Sequence, residues 1–91
     1  SVLGITATDL TDAQKRALKL DGGVRVEAAE GAAARAGLRE GDVILALGNT
    51  HITDLKQFAS VAANLEKAGK NISALVRRGD GVTWVVIRLA R

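Results

Sequence analysis

The stretch Gly31-Ala-Ala-Ala-Arg-Ala-Gly-Leu-Arg-Glu-Gly-Asp-Val-Ile-Leu-Ala-Leu-Gly-Asn49 constrains what this chain can fold into more than any other. Ala32 to Ala36 are good helix formers, Gly37 suits the left-handed conformation that ends a helix, and Gly41-Asp42 supplies a second tight turn. Val43 to Leu47 is then an apolar strand, with Val43, Leu45 and Leu47 on one face and Ile44 and Ala46 on the other. Neither face is polar. The strand therefore belongs inside the domain, and the other elements must pack around it.

Upstream, Val2-Leu3-Gly4-Ile5 places a glycine inside an apolar run. That leaves two readings open: a frayed terminal strand, or a loop whose successive N–H groups point at an anion. A helix follows from Leu10 to Leu20, with Thr11 as N-cap, Gln14 as its reciprocal capping partner and Asp12 suited to the first-turn dipole. Leu10, Gln14, Ala17 and Leu18 fall on its inner side, and Asp21-Gly22-Gly23 ends it. Val24 to Ala28 alternates apolar and charged residues, a half-exposed strand with Val24, Val26 and Ala28 inward.

Downstream, Gly48-Asn49-Thr50 turns the chain and Ile52 begins its return. A second long helix spans Leu55 to Ala68, capped by Asp54 with Gln57 as third-position partner, Thr53 competing as cap, and ended by Gly69. Leu55, Phe58, Ala62 and Leu65 recur at helical spacing as one apolar stripe, and Val61 adds a second apolar direction. The helix thus has more apolar arc than one sheet contact requires, and the surplus could line a groove. Ile72 to Arg78 and Val82 to Leu89 form a closing hairpin around Gly79-Asp80-Gly81. Trp84 either packs on the sheet face or stands partly exposed.

Ninety-one residues make one small domain. Cysteine is absent, so stability must come from packing rather than disulfides. The longest apolar run, Val43 to Leu47, is far short of the roughly 20 residues that span a bilayer, so no membrane insertion is expected. The chain has no methionine, which implies an excised domain or a processed fragment of a longer protein. A net charge of +3 invites a nucleic-acid partner, but the basic residues are interleaved with ten acidic ones. Only Phe58 and Trp84 could stack on bases, so nucleic acid is not expected as a partner.

Catalytic constellations are missing from the sequence. The serines, at positions 1, 60 and 73, lie in no G-x-S-x-G elbow, and a triad would have to recruit the single His51. His51 has no second ligand at metal spacing, and there is no phosphate or dinucleotide loop. The chain is expected to be no enzyme by itself, with no cofactor and no metal. What remains is a groove between an edge strand and a helix, where an extended peptide would add as a strand.

The run Ala34-Arg-Ala-Gly-Leu-Arg-Glu-Gly-Asp-Val-Ile-Leu-Ala-Leu-Gly-Asn49 resembles the A-x-x-A-G-L-x-x-G-D-x-I signature of bacterial PDZ domains. The resemblance extends along nearly the whole chain. Asp9-Leu-Thr-Asp-Ala-Gln-Lys15, Gly22-Gly-Val24 and Val76-Arg-Arg-Gly-Asp80 are similar to the second PDZ domain of HtrA or Do-like serine proteases. It implies an α+β fold: a small, bent, mostly antiparallel sheet or partial barrel, capped by two main helices, in the permuted strand order of bacterial PDZ domains. It also implies that residues 1–91 are a single PDZ domain, with the catalytic domain outside this chain.

The site residues follow from the same resemblance. Val2, Leu3, Gly4 and Ile5 match the position of the carboxylate-binding loop, with Val2 standing where the family has its first glycine. Ile5, Thr6, Ala7 and Thr8 would pair with the peptide. Leu3, Ile5, Ala7, Ala62 and Leu65 would form the pocket for its terminal side chain. Phe58 falls where many PDZ domains carry a histidine that reads a Ser or Thr hydroxyl, which implies an apolar ligand residue at that point. Expected partners are C-terminal or unfolded segments of substrate proteins and other protease subunits, in the bacterial periplasm. Two alternatives stay open: the PDZ domain of a C-terminal-processing or membrane-associated protease, and a domain serving assembly alone.

Overall fold

The computed structural model describes residues 3–88. In chain order they form β1 (Ile5–Asp9), α1 (Asp12–Leu18), β2 (Val24–Ala29), α2 (Gly31–Arg35), β3 (Val43–Leu47), β4 (Thr50–His51), α3 (Leu55–Ala68), β5 (Ile72–Arg78) and β6 (Gly81–Ile87). The strands make one open sheet in the order β1-β2-β3-β5-β6, with β4 beside β3 and every pairing antiparallel. The expected antiparallel α+β architecture is therefore present, with the predicted apolar strand at its centre.

Local signals set the helices. Thr11 and Gln14 form the complete capping box at the start of α1, each side chain meeting the other's backbone N–H at 2.9–3.0 Å. Asp54 caps α3 by accepting from the Gln57 N–H at 2.7 Å, and Gly69 ends that helix in the left-handed conformation. The Gln57 side chain instead reaches the N–H of the residue before the cap, Thr53. The first helix stops earlier than expected. Lys19 adopts the left-handed conformation (φ 57°) and the Leu20 N–H closes onto the Lys15 carbonyl at 2.9 Å, so the helix ends before Asp21-Gly22-Gly23 is reached. None of its residues is buried, and Ala17, expected inward, is exposed.

Two bulges correct the simple alternation of the strands. In β2, Thr6 pairs with Ala28 and Ala7 with Val26, which leaves Glu27 as the extra residue. Val24 and Val26 are buried as expected, but beyond the bulge Ala28 turns outward. In β3, Ile44 pairs with Val76 and Ala46 with Leu75, so Leu45 is the extra residue. Ile44 and Leu47, expected on opposite faces, consequently share the core face with Val76 and Ala74. Bulges of this kind bend the sheet around its contents.

The core combines Val24, Val26, Ile44, Leu47, Ala74, Val76 and Ile87 of the sheet with Phe58 and Ala62 of α3 and Leu38 of the loop before β3. One charge lies among these elements. Asp42 is 3% exposed, and Arg78 of β5 holds its carboxylate with two hydrogen bonds of 2.9 and 2.6 Å. The Arg39 N–H donates a third at 3.0 Å, and Arg78 also donates to the Gly37 carbonyl at 2.7 Å. Burial would raise the Asp42 pKa, but the bonds from Arg78 and Arg39 outweigh it and hold the group below its ordinary value. The lowered pKa means that the ionised form stabilises the fold above the ordinary carboxylate range and that this contribution is lost as pH falls below it. We expect Asp42→Asn to lose about 2 kcal/mol near neutral pH. Urea unfolding at neutral and acid pH should show the gap between variant and parent narrowing on acidification.

Candidate functional site

β1 has a neighbour on one side only, so its other edge is free among the described residues. α3 packs beside that strand, and the two border the candidate groove. The groove is anchored at one end by a contact between residues far apart in sequence: the Asp9 carboxylate accepts from the Leu55 N–H at 2.6 Å. This bond fastens the end of β1 to the first turn of α3, whose free N–H groups attract a carboxylate. Asp9 was not singled out in the sequence. Its only signal was an acidic residue closing a strand ahead of a distant helix start.

At the other end the backbone turns sharply. Leu3 (φ 60°) and Gly4 (φ 79°) are consecutive left-handed residues, which aims their peptide groups away from the ladder. No backbone acceptor among the described residues meets the N–H groups of Leu3 or Gly4. The Gly4 carbonyl accepts from the Glu30 N–H at 2.8 Å, and a Cβ at this position would lie 2.1 Å from the Glu30 oxygen. Glycine is thus required both by conformation and by space. Of the residues expected to form the carboxylate-binding loop, Leu3 and Gly4 form this turn and Ile5 opens β1, while Val2 lies outside the described residues.

The side chains along the groove sort into two groups. Leu3 and Ile5 of the first wall and Phe58 and Ala62 of the second are each 5% exposed or less and belong to the core. Ala7, Leu55, Val61 and Leu65 are half-buried and pack on them. The residues expected to form a terminal pocket belong to one apolar cluster, with Ala7 and Leu65 at its half-buried margin. Thr6 and Thr8 are exposed, and the Thr8 hydroxyl donates to Glu27 at 3.0 Å. Glu27 also accepts from Arg25 at 2.6 Å, and these two donors, Arg25 first, hold its carboxyl below the ordinary range.

His51 is exposed on the short β4, and no cluster of His, Cys, Asp or Glu among the described residues could hold a metal ion. No helix is long and apolar enough to cross a membrane among those residues. A cleft of about 530 Å³ lies elsewhere, between α2 and β6.

Comparison with known proteins places the arrangement. A family model described as PDZ domain matches residues 23–78. A probable periplasmic serine endoprotease, DegP-like, of Pseudomonas fulva is 44% identical over 89 residues, which cover 97% of this chain and 18% of that protein. The corresponding protein of Hahella chejuensis is 32% identical over 98% of this chain and 19% of its own length. This chain therefore spans about a fifth of the curated relatives it matches. The structure of the HtrA-type protease AlgW with decapeptide superposes with a TM-score of 0.80 at 28% identity, over 97% of this chain and 28% of that one. The HtrA3 PDZ domain bound to a phage-derived ligand shares the fold, with a TM-score of 0.76 at 18% identity over 93% of this chain and 80% of that one.

The Gly4 geometry carries a direct consequence. We expect Gly4→Ala to destabilise the chain by about 1–3 kcal/mol through strain and the Glu30 clash. In amide NMR spectra the largest shifts should fall on residues 3–5 and 29–31.

Proposed function

This chain belongs to the PDZ-domain family, and we propose that its β1–α3 groove captures the C-terminal segments of other proteins by strand addition. The observation that carries this reading is the free edge of β1 running from a left-handed Leu3-Gly4 turn alongside α3. A peptide aligned on β1 would form main-chain hydrogen bonds with Ile5 to Thr8. Its terminal carboxylate would meet the N–H groups of Leu3, Gly4 and Ile5, with bonds stronger than neutral ones because one partner is charged. Val2 would complete that loop.

Its last side chain would enter between Leu3, Ile5, Ala7, Ala62 and Leu65, with Phe58 meeting the residue two positions earlier. Ordering the peptide costs free energy, so the affinity is micromolar, near −8 kcal/mol at about 1 μM.

The AlgW structure with decapeptide, 28% identical to this chain, supports peptide binding. The curated relatives extend the reading to the whole protein. Residues 1–91 are the PDZ module of a longer periplasmic serine endoprotease of the DegP-like kind, whose catalytic residues lie outside this chain. The module presents apolar C-termini of damaged proteins to that protease. The near-complete burial of Leu3, Ile5, Phe58 and Ala62 favours a second reading, assembly of subunits with the groove unused.

A calorimetric scan of peptides ending in valine, varied two residues before the end, tests the assignment of Phe58. We expect Leu or Val there to bind about tenfold more tightly than Ser or Thr. A preference for Ser or Thr removes Phe58 from the recognition surface. Absence of binding by every peptide at millimolar concentration leaves the assembly reading in place.

A further inference from the structure

The sheet has a second free edge at its far side. β6 pairs with β5 alone among the described residues, and its Val82, Trp84 and Val86 are 54%, 57% and 46% exposed. From Gly81 to Ile87 the strand contains no charge and no proline. Soluble proteins seldom leave such an edge uncovered, because its free main-chain groups and apolar side chains invite another strand. We propose that β6 is covered by β6 of a second copy of this chain, antiparallel about a two-fold axis through Trp84.

The backbone supplies the first argument. The two-residue Gly79-Asp80 turn, with Gly79 at φ 60°, closes on the Arg78–Gly81 pair as a hydrogen-bonded pair. Alternation along the strand then directs the N–H and C=O groups of Gly81, Thr83, Val85 and Ile87 toward β5. Those of Val82, Trp84 and Val86 point out of the sheet. The residues with outward backbone are thus the ones with exposed apolar side chains.

The sequence supplies the second. Every other residue from the turn onward reads Asp80, Val82, Trp84, Val86, Arg88, which is a palindrome about Trp84 with opposite charges at its ends. A two-fold axis there sets Val82 against the partner's Val86, Trp84 against the partner's Trp84, and Asp80 against the partner's Arg88 at both ends. Like residues meet where they are apolar and unlike residues where they are charged, as a self-complementary interface requires. Where the partner's Asp80 arrives, the cleft between α2 and β6 is lined by Arg35 and Arg88 and by no acidic residue. That basic rim favours the partner's carboxylate over a general apolar strand.

Sedimentation equilibrium and amide NMR on the 91-residue chain, from micromolar to millimolar concentration, test the proposal. We expect a monomer–dimer equilibrium, with concentration-dependent shifts on residues 80–88. Asp80→Arg or Arg88→Asp alone should weaken association by about tenfold, and the two together should restore it. Both side chains are exposed, so the fold is not at stake, and neither residue lies in the β1–α3 groove, so peptide binding is read separately. A chain that stays monomeric at millimolar concentration overturns the proposal and leaves another segment as the occupant of this edge. So does a dimer indifferent to the charge exchange, or one whose shifts fall on β1 and α3.

Discussion

The buried Asp42 carboxylate is the contact on which the rest of this domain depends. It sits at the start of β3, is held by a two-pronged grip from Arg78 at the end of β5, and reaches back to the Arg39 backbone. Through the bond from Arg78 to the Gly37 carbonyl, the same guanidinium also fixes the exit of α2. One ion pair therefore sets the loop between α2 and β3 and its attachment to the closing hairpin. Such a pair is costly to bury, and its worth lies less in net stability than in the geometry it selects. It makes the signature Ala-Gly-Leu-x-x-Gly-Asp a structural device rather than a recognition surface, because both glycines serve turns and the aspartate serves the anchor.

Much of the fold was legible because its signals are local. The Thr11–Gln14 capping box, the Asp54 cap and the Gly69 stop each act within a few residues and are found where their residues stand, and the closing hairpin turns one residue earlier than the Asp80-Gly81 pair signals, with Gly81 already in β6. The central strand was legible from its apolar content. Its facing was not, because the bulges at Glu27 and Leu45 are set by pairing between strands and shift the period of two. The end of α1 differs from the expectation because Lys19 takes a conformation that the glycines three and four positions later are better suited to adopt.

The site was legible in a different way. Position along the chain sets Leu3 to Thr8 against the Phe58–Leu65 face, and in the fold α3 does lie against β1. Whether the groove stands open could not be read, since that depends on how closely α3 seats against β1. The Asp9–Leu55 bond that pins one end spans 46 positions and carries no local pattern. The sequence from Val2 to Ile5 admits both a frayed strand and an anion-binding loop. Its consecutive left-handed residues, wedged against Glu30, favour a formed loop.

The two edges of the sheet are unlike, and the contrast bears on function. Among the described residues, β1 offers a free edge beside a long helix, with Ile5 buried and Thr6 and Thr8 exposed and polar, which suits a ligand that comes and goes. β6 offers a free edge with three exposed apolar side chains, which suits a lasting contact. A module with both could hold a peptide at one side while being held at the other.

We propose that the β1–α3 groove reads a terminal carboxylate. It is tested most directly by an amide NMR titration with one apolar-ended peptide, used once as the free acid and once amidated, since amidation removes the charge and leaves the side chains unchanged. The free acid should shift residues 3–8 and 58–65 at micromolar concentration, and the amide should bind at least about tenfold more weakly. Equal binding of the two peptides would contradict it.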